Sequence, residues 1–280
     1  MPIIDPSEFE PPSRPAPVWS HGPVRVDGDD LVLDRESATT YRVADEAGIH
    51  LRFAAIKDID DAAEFATEFG LLYHGALPLG TAPDAVTAAL LRWHNEDEIP
   101  DPREPFLEWM DEVVRINKIL TVYRLVSGPR WGEREFEELL DLYHKWIRVD
   151  LRHAPAPNDP QEGIYLGALY VCQMTNDWFD RTRTILDLGL RDAGEGQVAR
   201  PVFDLTMESP LSLLGYIYFR LAQDLTRAAR FGHCPECGTI FKTEQGDRRT
   251  YDTPQCAQRA RYHRYAARNP GYRKKGAEHS

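Results

Sequence analysis

The sequence predicts an α+β protein with a predominantly helical body, small antiparallel β elements and a C-terminal module of the treble-clef or zinc-ribbon type. Three observations predict this class. Segments between residues 58 and 232 place apolar residues three and four apart, which is the helical period. Short alternating runs flank turns that contain glycine, as in β hairpins. Three of the four cysteines lie between residues 234 and 256, close together in the sequence.

These patterns divide the chain into four segments. The length of 280 residues is sufficient for a body with its own hydrophobic core. The first segment is expected to be irregular because it is rich in proline. The predicted bounds are 1–22 for the irregular segment, 23–229 for the mostly helical body with an N-terminal hairpin, 230–268 for the module and 269–280 for a basic tail.

The N-terminal part of the body is expected to contain a small antiparallel sheet. Residues 24–34 read VRVDGDDLVLD, which is two alternating runs around Asp27-Gly28-Asp29. This pattern predicts a hairpin, because glycine supplies the positive φ that a tight turn needs. The following stretch, residues 40–56, is predicted to add further extended structure.

Helices are predicted from residue 58 onward. The stretch 58–72 places an apolar face at residues 62, 65, 66 and 69, with Asp60 or Asp61 as the N-cap and Gly70 as the stop. A loop is expected over 153–163, and two strands are expected around the glycines at 194 and 196. The other predicted helices cover 81–95, 103–126, 131–151, 164–179 and 209–232.

Charge is distributed unevenly along the chain. The net charge is −12, but residues 226–280 contain twelve basic and five acidic side chains, and so carry +7. Residues 1–225 contain twenty-one basic and forty acidic side chains, and so carry −19. An acidic body with a basic C-terminal part is typical of a protein that carries a module for an anionic partner. A solvated basic tail without a specific partner is the alternative.

The N-terminus and the apolar runs indicate the compartment. Residues 1–17 contain neither the basic region nor the apolar region of a signal peptide, and no apolar run reaches the roughly 18 residues of a membrane span. Clustered cysteines in such a chain favour a metal site over disulfides. We therefore expect a cytoplasmic protein without a membrane partner.

The segment from Cys234 to Cys256 has the organisation of a metal-binding finger. Cys234 and Cys237 form a CxxC knuckle, and Gly238 after them allows the backbone to turn tightly beneath a metal ion. Residues 239–241 and 248–251 are predicted to be the two strands of a hairpin. A knuckle, a hairpin and a helix that carries further ligands form a treble-clef-like site.

The fourth ligand is the open question of this segment. Cys256 lies in the first turn of a helix opened by Pro254, where the helix dipole favours a thiolate. Asp252 occupies the position at which a further cysteine would be expected, and zinc accepts carboxylate oxygen. The predicted ligands of a Zn²⁺ ion are Cys234, Cys237, Asp252 and Cys256. His233 and then His263 are the alternatives to Asp252, and a degenerate finger without metal is a further alternative.

The module resembles the bacterial CGNR-type zinc fingers and related modules of uncharacterised actinobacterial proteins. The matching features lie within 232–265 and are the knuckle, Phe241, the Arg-x-Tyr run at 249–251, and Cys256 with Arg259. The resemblance implies a zinc-dependent DNA-binding protein with a role in transcription regulation. The sequence departs from the family at Asp252, which replaces the third cysteine, and at 257–258, where Ala-Gln replaces the Gly-Asn of the family name.

Arginines at the C-terminus indicate an anionic partner. The residues expected to contact nucleic acid are Arg248, Arg249, Arg259, Arg261, Arg264 and Arg268. Arginine binds phosphate oxygens, and Tyr262 and Tyr265 between the arginines can stack or hydrogen-bond. We therefore predict a protein that binds DNA or RNA through its basic helix, while the acidic body takes an unknown ligand or partner. The alternative is a structural or protein-interaction module whose finger packs on the acidic body, without nucleic acid.

Catalytic motifs are weak in this sequence. The triplet His94-Asn95-Glu96, taken with the CxxC, resembles the H-x-E and P-C-x-x-C pattern of zinc deaminases. The two halves are far apart in the sequence, and His233 stands where that pattern requires proline. We assign no catalytic residue and do not expect an enzyme.

Overall fold

The structure is a computed structural model that describes residues 18–34, 36–42, 48–73, 102–128, 131–179, 185–191, 200–206, 213–243 and 250–269. The chain divides into an N-terminal unit, Met1–Ala228, and a C-terminal unit, Ala229–Ser280. Helices predominate among the described residues and every described strand pair is antiparallel, so the predicted α+β class is confirmed.

Short strands form three small sheets in the described part of the N-terminal unit. They are β1 (Val18–His21), β2 (Val24–Asp27), β3 (Asp30–Leu33), β4 (Thr39–Arg42), β5 (Arg103–Pro105), β6 (Ile185–Arg191) and β7 (Arg200–Thr206). The sheets have the orders β1-β4, β2-β3-β5 and β6-β7. The predicted hairpin over 24–34 is confirmed, with Gly28 at a φ of +65°. The expectation that 1–22 is irregular is wrong for Val18–His21, because these residues pair with Thr39–Arg42.

Six helices follow or separate these strands in the described part of the unit. They are α1 (Ile49–Ala54), α2 (Ile59–Phe69), α3 (Phe106–Val126), α4 (Glu133–Leu142), α5 (Pro160–Phe179) and α6 (Leu213–Thr226). Helix α4 continues through a π-helical turn, Tyr143–Ile147, into a last helical turn, Arg148–Asp150. None of the helices in the described ranges is long and apolar enough to cross a membrane. The predicted helix over 81–95 lies outside the described residues.

Helix α2 has the predicted buried face but a different cap. The side chains at 62, 65, 66 and 69 are buried, and the helix ends before Gly70. Asp58, rather than Asp60 or Asp61, is the N-cap, and its carboxylate accepts a hydrogen bond from the Asp61 backbone N–H at 2.9 Å. Asp58 has the extended backbone that an N-cap requires, whereas the other two aspartates lie inside the first turn.

Helix α1 replaces extended structure that the sequence was expected to form. The stretch 40–56 forms β4 at its start, but Ile49–Ala54 is helical. Ile49 and Phe53 lie four residues apart and are both buried, so one face of a helix carries them into the core. The alternation of apolar and polar residues in this stretch fits a strand equally well, and packing decides between the two.

Helix α3 lies at the centre of the unit. Trp109, Ile116 and Tyr123 along it are buried with at most 1% of their surface exposed. It packs along α5, where the Cβ position of Gly167 would lie 2.5 Å from Val126 Cγ1. Any larger residue at 167 would push the two helices apart, so glycine permits their close approach.

Two carboxylates are buried beside this helix. Glu104 of β5 is fully buried and accepts hydrogen bonds from the backbone N–H groups of Leu72 at 2.9 Å and Tyr73 at 2.6 Å, and from Trp109 Nε1 at 2.8 Å. Glu112 of α3 accepts a hydrogen bond from the Tyr218 hydroxyl at 2.8 Å. Burial raises the pKa of Glu112 above its usual value, although the hydrogen bond from Tyr218 opposes this shift.

The C-terminal unit is built from a two-stranded sheet and one helix in its described part. They are β8 (Arg230–His233), β9 (Ile240–Thr243) and α7 (Pro254–Arg268). The predicted strand at 239–241 is observed as β9, and it pairs with β8. The start of the predicted return strand at 248–251 lies outside the described residues. Thr250 and Tyr251 are in bends, and the residues before them are outside the described ranges. The knuckle therefore joins the two strands of the sheet rather than preceding it.

Candidate metal centre and basic helix

The four predicted ligands meet in one cluster. The sulfurs of Cys234, Cys237 and Cys256 and one carboxylate oxygen of Asp252 all lie within 4.8 Å of one another. Around a tetrahedral ion with bonds of about 2.0–2.3 Å, donor atoms lie roughly 3.5–3.8 Å apart. Cys237 Sγ and Asp252 Oδ2 are 3.5 Å apart, which is the separation expected for a sulfur and an oxygen on the same ion. The four side chains are close enough to hold a metal ion.

The knuckle places the first two sulfurs. The Gly238 backbone N–H donates to the Cys234 carbonyl at 2.9 Å, and the Cys234 N–H donates to the Thr239 carbonyl at the same distance. Gly238 has a φ of +78°, which is strained for residues with a side chain. These bonds close a tight turn between β8 and β9, so that Cys234 and Cys237 share one cluster.

The start of α7 places the other two donors. The Thr253 hydroxyl caps the helix by accepting a hydrogen bond from the Cys256 N–H at 3.2 Å. The Thr253 N–H donates to Asp252 Oδ1 at 2.7 Å. This bond occupies one carboxylate oxygen and leaves Oδ2 beside Cys237, so Asp252 is oriented to offer a single oxygen to an ion.

The pKa values of the side chains in the cluster depend on burial and on the hydrogen bonds between neighbouring sulfurs and the carboxylate. Burial raises the pKa of Cys237, but hydrogen bonds with Thr239 and with the neighbouring thiols lower it below its usual value. Burial alone would raise the pKa of Asp252. Hydrogen bonds from the thiols of Cys256 and Cys234 have the larger effect, and the pKa lies below its usual value. The Asp252 carboxylate is therefore ionised and accepts hydrogen bonds from neighbouring thiols.

Cys256 differs from the prediction that the helix dipole favours its thiolate. A hydrogen bond with Thr253 lowers the pKa of Cys256, but Asp252, burial and the other two sulfurs raise it to about 12. The hydrogen bond from the Cys256 thiol to the Asp252 carboxylate favours the protonated sulfur. A cation that binds here must displace this proton, so metal uptake releases protons.

The two alternative ligands lie outside the cluster. His263 Nδ1 is 3.4 Å from Glu236 Oε1, and its side chain is 63% exposed. Glu236 belongs to the knuckle, so this pair joins the knuckle to α7. His233 is exposed in β8, and neither histidine belongs to the group of side chains that could share an ion.

Two threonines contribute to the site although the sequence analysis did not assign them. Thr239 Oγ1 lies 3.3 Å from Cys237 Sγ, and Thr253 caps α7. Thr253 had a recognisable signal in the sequence, because threonine followed by proline is typical of a helix start. Thr239 had no such signal, because its role depends on the turn that the knuckle makes.

Four of the predicted nucleic-acid-binding residues lie along α7. Arg259, Arg261, Arg264 and Arg268 are all exposed. Within the described part of the C-terminal unit none of them forms an ion pair, and Arg264 Nε donates to the Ala260 carbonyl at 3.3 Å. The other two predicted contacts, Arg248 and Arg249, lie outside the described residues.

No family model, no curated protein and no solved structure matches the chain. The resemblance to the CGNR-type zinc fingers therefore stays a prediction. The triplet at 94–96, which resembles part of a deaminase motif, lies outside the described residues. The cluster of three cysteines and Asp252, together with helix α7 that starts from it, is the feature of the described residues that points to a function.

Proposed function

We propose that the C-terminal unit binds a structural Zn²⁺ ion and that the protein contacts nucleic acid through α7, in a regulatory role. Zinc is supported by the donor set, because three thiolates and one carboxylate suit a borderline-soft cation with tetrahedral coordination. The four protein donors fill that coordination. A filled site leaves no position for a substrate, so the metal has a structural role here.

The placement of Cys256 connects the metal to the helix. This residue belongs to the cluster and also lies in the first turn of α7, next to the Thr253 cap. An ion bound there ties the start of the helix to the knuckle. The part of the unit that carries the arginines is therefore held by the metal centre, as in small domains whose folding depends on metal.

The exposed arginines carry the proposal of a nucleic-acid partner. All four on α7 are exposed, and a guanidinium group binds phosphate oxygens with two parallel hydrogen bonds. Arg261, Arg264 and Arg268 lie within roughly 60° of one another around the helix, and such a row fits a polyanion with regularly spaced charges. The N-terminal part of the chain is a poorer match for a polyanion, because residues 1–225 carry a net charge of −19.

A binding titration tests the nucleic-acid contact. Fluorescence anisotropy with labelled oligonucleotides would compare the full-length protein with an Arg261→Gln/Arg264→Gln variant over a series of salt concentrations. We expect affinity to fall with salt, and the double variant to lose about 0.7–0.9 of the log–log salt slope for each phosphate contact removed.

The matched control is an Arg134→Gln/Arg148→Gln variant, because these arginines are also exposed on a helix but lie in the N-terminal unit. It should bind like the unmodified protein. Absence of binding to any oligonucleotide at low salt would overturn the proposal, as would an α7 variant that behaves like the control. Metal analysis of the same samples should give one zinc per chain, and a Cys234→Ser variant should hold less.

A further inference from the structure

Helix α7 exposes two aromatic rings on the side opposite its metal ligand. Tyr262 is 51% exposed and Tyr265 is 50% exposed, whereas Cys256 and Ala260 are buried. At about 100° per residue, Tyr265 lies roughly 180° around the helix from Cys256, and Tyr262 lies about 60° further around. The two tyrosines therefore lie on the side of the helix that faces away from Cys256 and Ala260, and the buried Ala266, roughly 40° from Tyr262 and one turn further along, limits this face on one side.

Arginines border this face on both sides. By the same helical geometry, Arg261 and Arg268 lie roughly 40–60° from Tyr265 on one side, and Arg259 lies about 60° beyond Tyr262 on the other. All three arginines are exposed. We call the surface formed by these five side chains the Tyr–Arg face. Aromatic rings in its centre and guanidinium groups at its edges match a ligand with flat bases and flanking phosphates.

The spacing of the rings distinguishes between paired and unpaired strands. Side chains three residues apart on a helix have Cβ atoms about 5–6 Å apart. Bases in a duplex are stacked about 3.4 Å apart along the axis and cover one another, so a duplex offers their edges and its phosphates but not their faces. An unpaired strand can separate neighbouring bases and lay each on an aromatic ring.

We propose that the ligand of the Tyr–Arg face is an unpaired nucleic-acid strand. Bases stack on Tyr262 and Tyr265, and phosphates pair with Arg259, Arg261 and Arg268. This inference rests on the proposed function and specifies its ligand. Stacking does not depend on base identity, so the expected binding has weak sequence preference.

The test compares strands with duplexes of the same sequence. Anisotropy titrations of the full-length, zinc-loaded protein would use a single-stranded DNA, the equivalent single-stranded RNA, and the duplex of each. We expect at least one single strand to bind more tightly than its duplex. Tyr262→Ala and Tyr265→Ala should each weaken binding of that strand by roughly 5- to 150-fold, the range found for loss of one stacked base.

Two further variants separate stacking from folding. Tyr262→Phe keeps the ring and should retain strand binding. Tyr165→Ala is the matched control, because Tyr165 is 49% exposed on α5 in the N-terminal unit, and it should bind like the unmodified protein. Zinc content and helical circular dichroism of each variant would show that the C-terminal unit remains folded.

The possible failures are distinguishable. Duplex binding that equals or exceeds strand binding, with no effect of the alanine variants, would overturn the unpaired-strand inference while the α7 arginines could still be required. Absence of binding to all four oligonucleotides would overturn the proposed function as well.

Discussion

Asp252→Asn tests the unusual ligand of the metal centre. The substitution keeps the size of the side chain but removes its negative charge, and it places either a weak oxygen donor or an amide nitrogen beside Cys237. Because Asp252 Oδ2 lies 3.5 Å from Cys237 Sγ, at the separation of two ligands on one ion, we expect the change to remove a metal ligand and not a distant charge.

The expected loss of zinc affinity can be bounded from the effect of substitutions that only disturb the support of a metal ligand. Altering a group that only supports a ligand typically costs 10- to 100-fold in metal affinity, so loss of the ligand itself should cost about 100-fold or more. At a fixed concentration of free zinc that saturates both the unmodified protein and the variant, a 100-fold loss of affinity lowers the metal-linked stabilisation by about 2.7 kcal/mol. Asp252→Cys supplies a softer donor at the same position and should bind zinc more tightly than Asp252→Asn.

The assay is competition for zinc against a chelator of known affinity, with cobalt substitution as an independent measure of the ligands. Fewer anionic donors in the variant should change the cobalt absorption spectrum. Glu236→Gln is the matched control, because Glu236 lies in the knuckle but outside the cluster, paired with His263. Equal zinc affinity for Asp252→Asn and the unmodified protein would refute the assignment of Asp252 as a ligand.

Two other substitutions test the packing and the buried carboxylate. In Gly232→Ala the new Cβ would lie 2.6 Å from the Phe241 ring across the β8–β9 pair, so we expect the C-terminal unit to lose about 1–3 kcal/mol of stability. Amide hydrogen exchange of the two strands measures this loss, and unchanged exchange would contradict the expectation. Burial raises the pKa of Glu112 above 4.5, so its contribution to stability is complete below that pH and is lost as pH rises through the folded-state value. Glu112→Gln should therefore become more stable relative to the unmodified protein between pH 4.5 and 7. Tryptophan fluorescence during thermal unfolding measures this, because all six tryptophans precede residue 229, and a difference that does not vary with pH would contradict it.

The sequence predicted the elements whose signals are local. The buried face of α2 follows from apolar spacing alone, and the hairpin around Gly28 follows from alternation and turn chemistry. The grouping of Cys234, Cys237, Asp252 and Cys256 was also predictable, because a knuckle and a helix start bring donors together over a short stretch of chain. Each of these depends on residues near one another in the sequence.

The features that the sequence did not predict depend on distant residues. Ile49–Ala54 has a pattern that fits a strand or a helix, and the core selects the helix. Strand β9 pairs with β8 because the knuckle reverses the chain between them, which strand propensity does not encode. The raised pKa of Cys256 depends on where the Asp252 carboxylate lies, and the helix dipole alone gives the opposite sign.

The carboxylate of Glu104 joins two places that are far apart along the chain. It accepts hydrogen bonds from the amides of Leu72 and Tyr73, so the chain departs after residue 73 and comes back at β5 to nearly the same place. Trp109 of α3 donates to the same carboxylate, so one side chain aligns the end of the 48–73 segment, β5 and the start of α3. Removing that carboxylate would leave two amides and an indole without this acceptor in a buried place, and all three segments would lose alignment together.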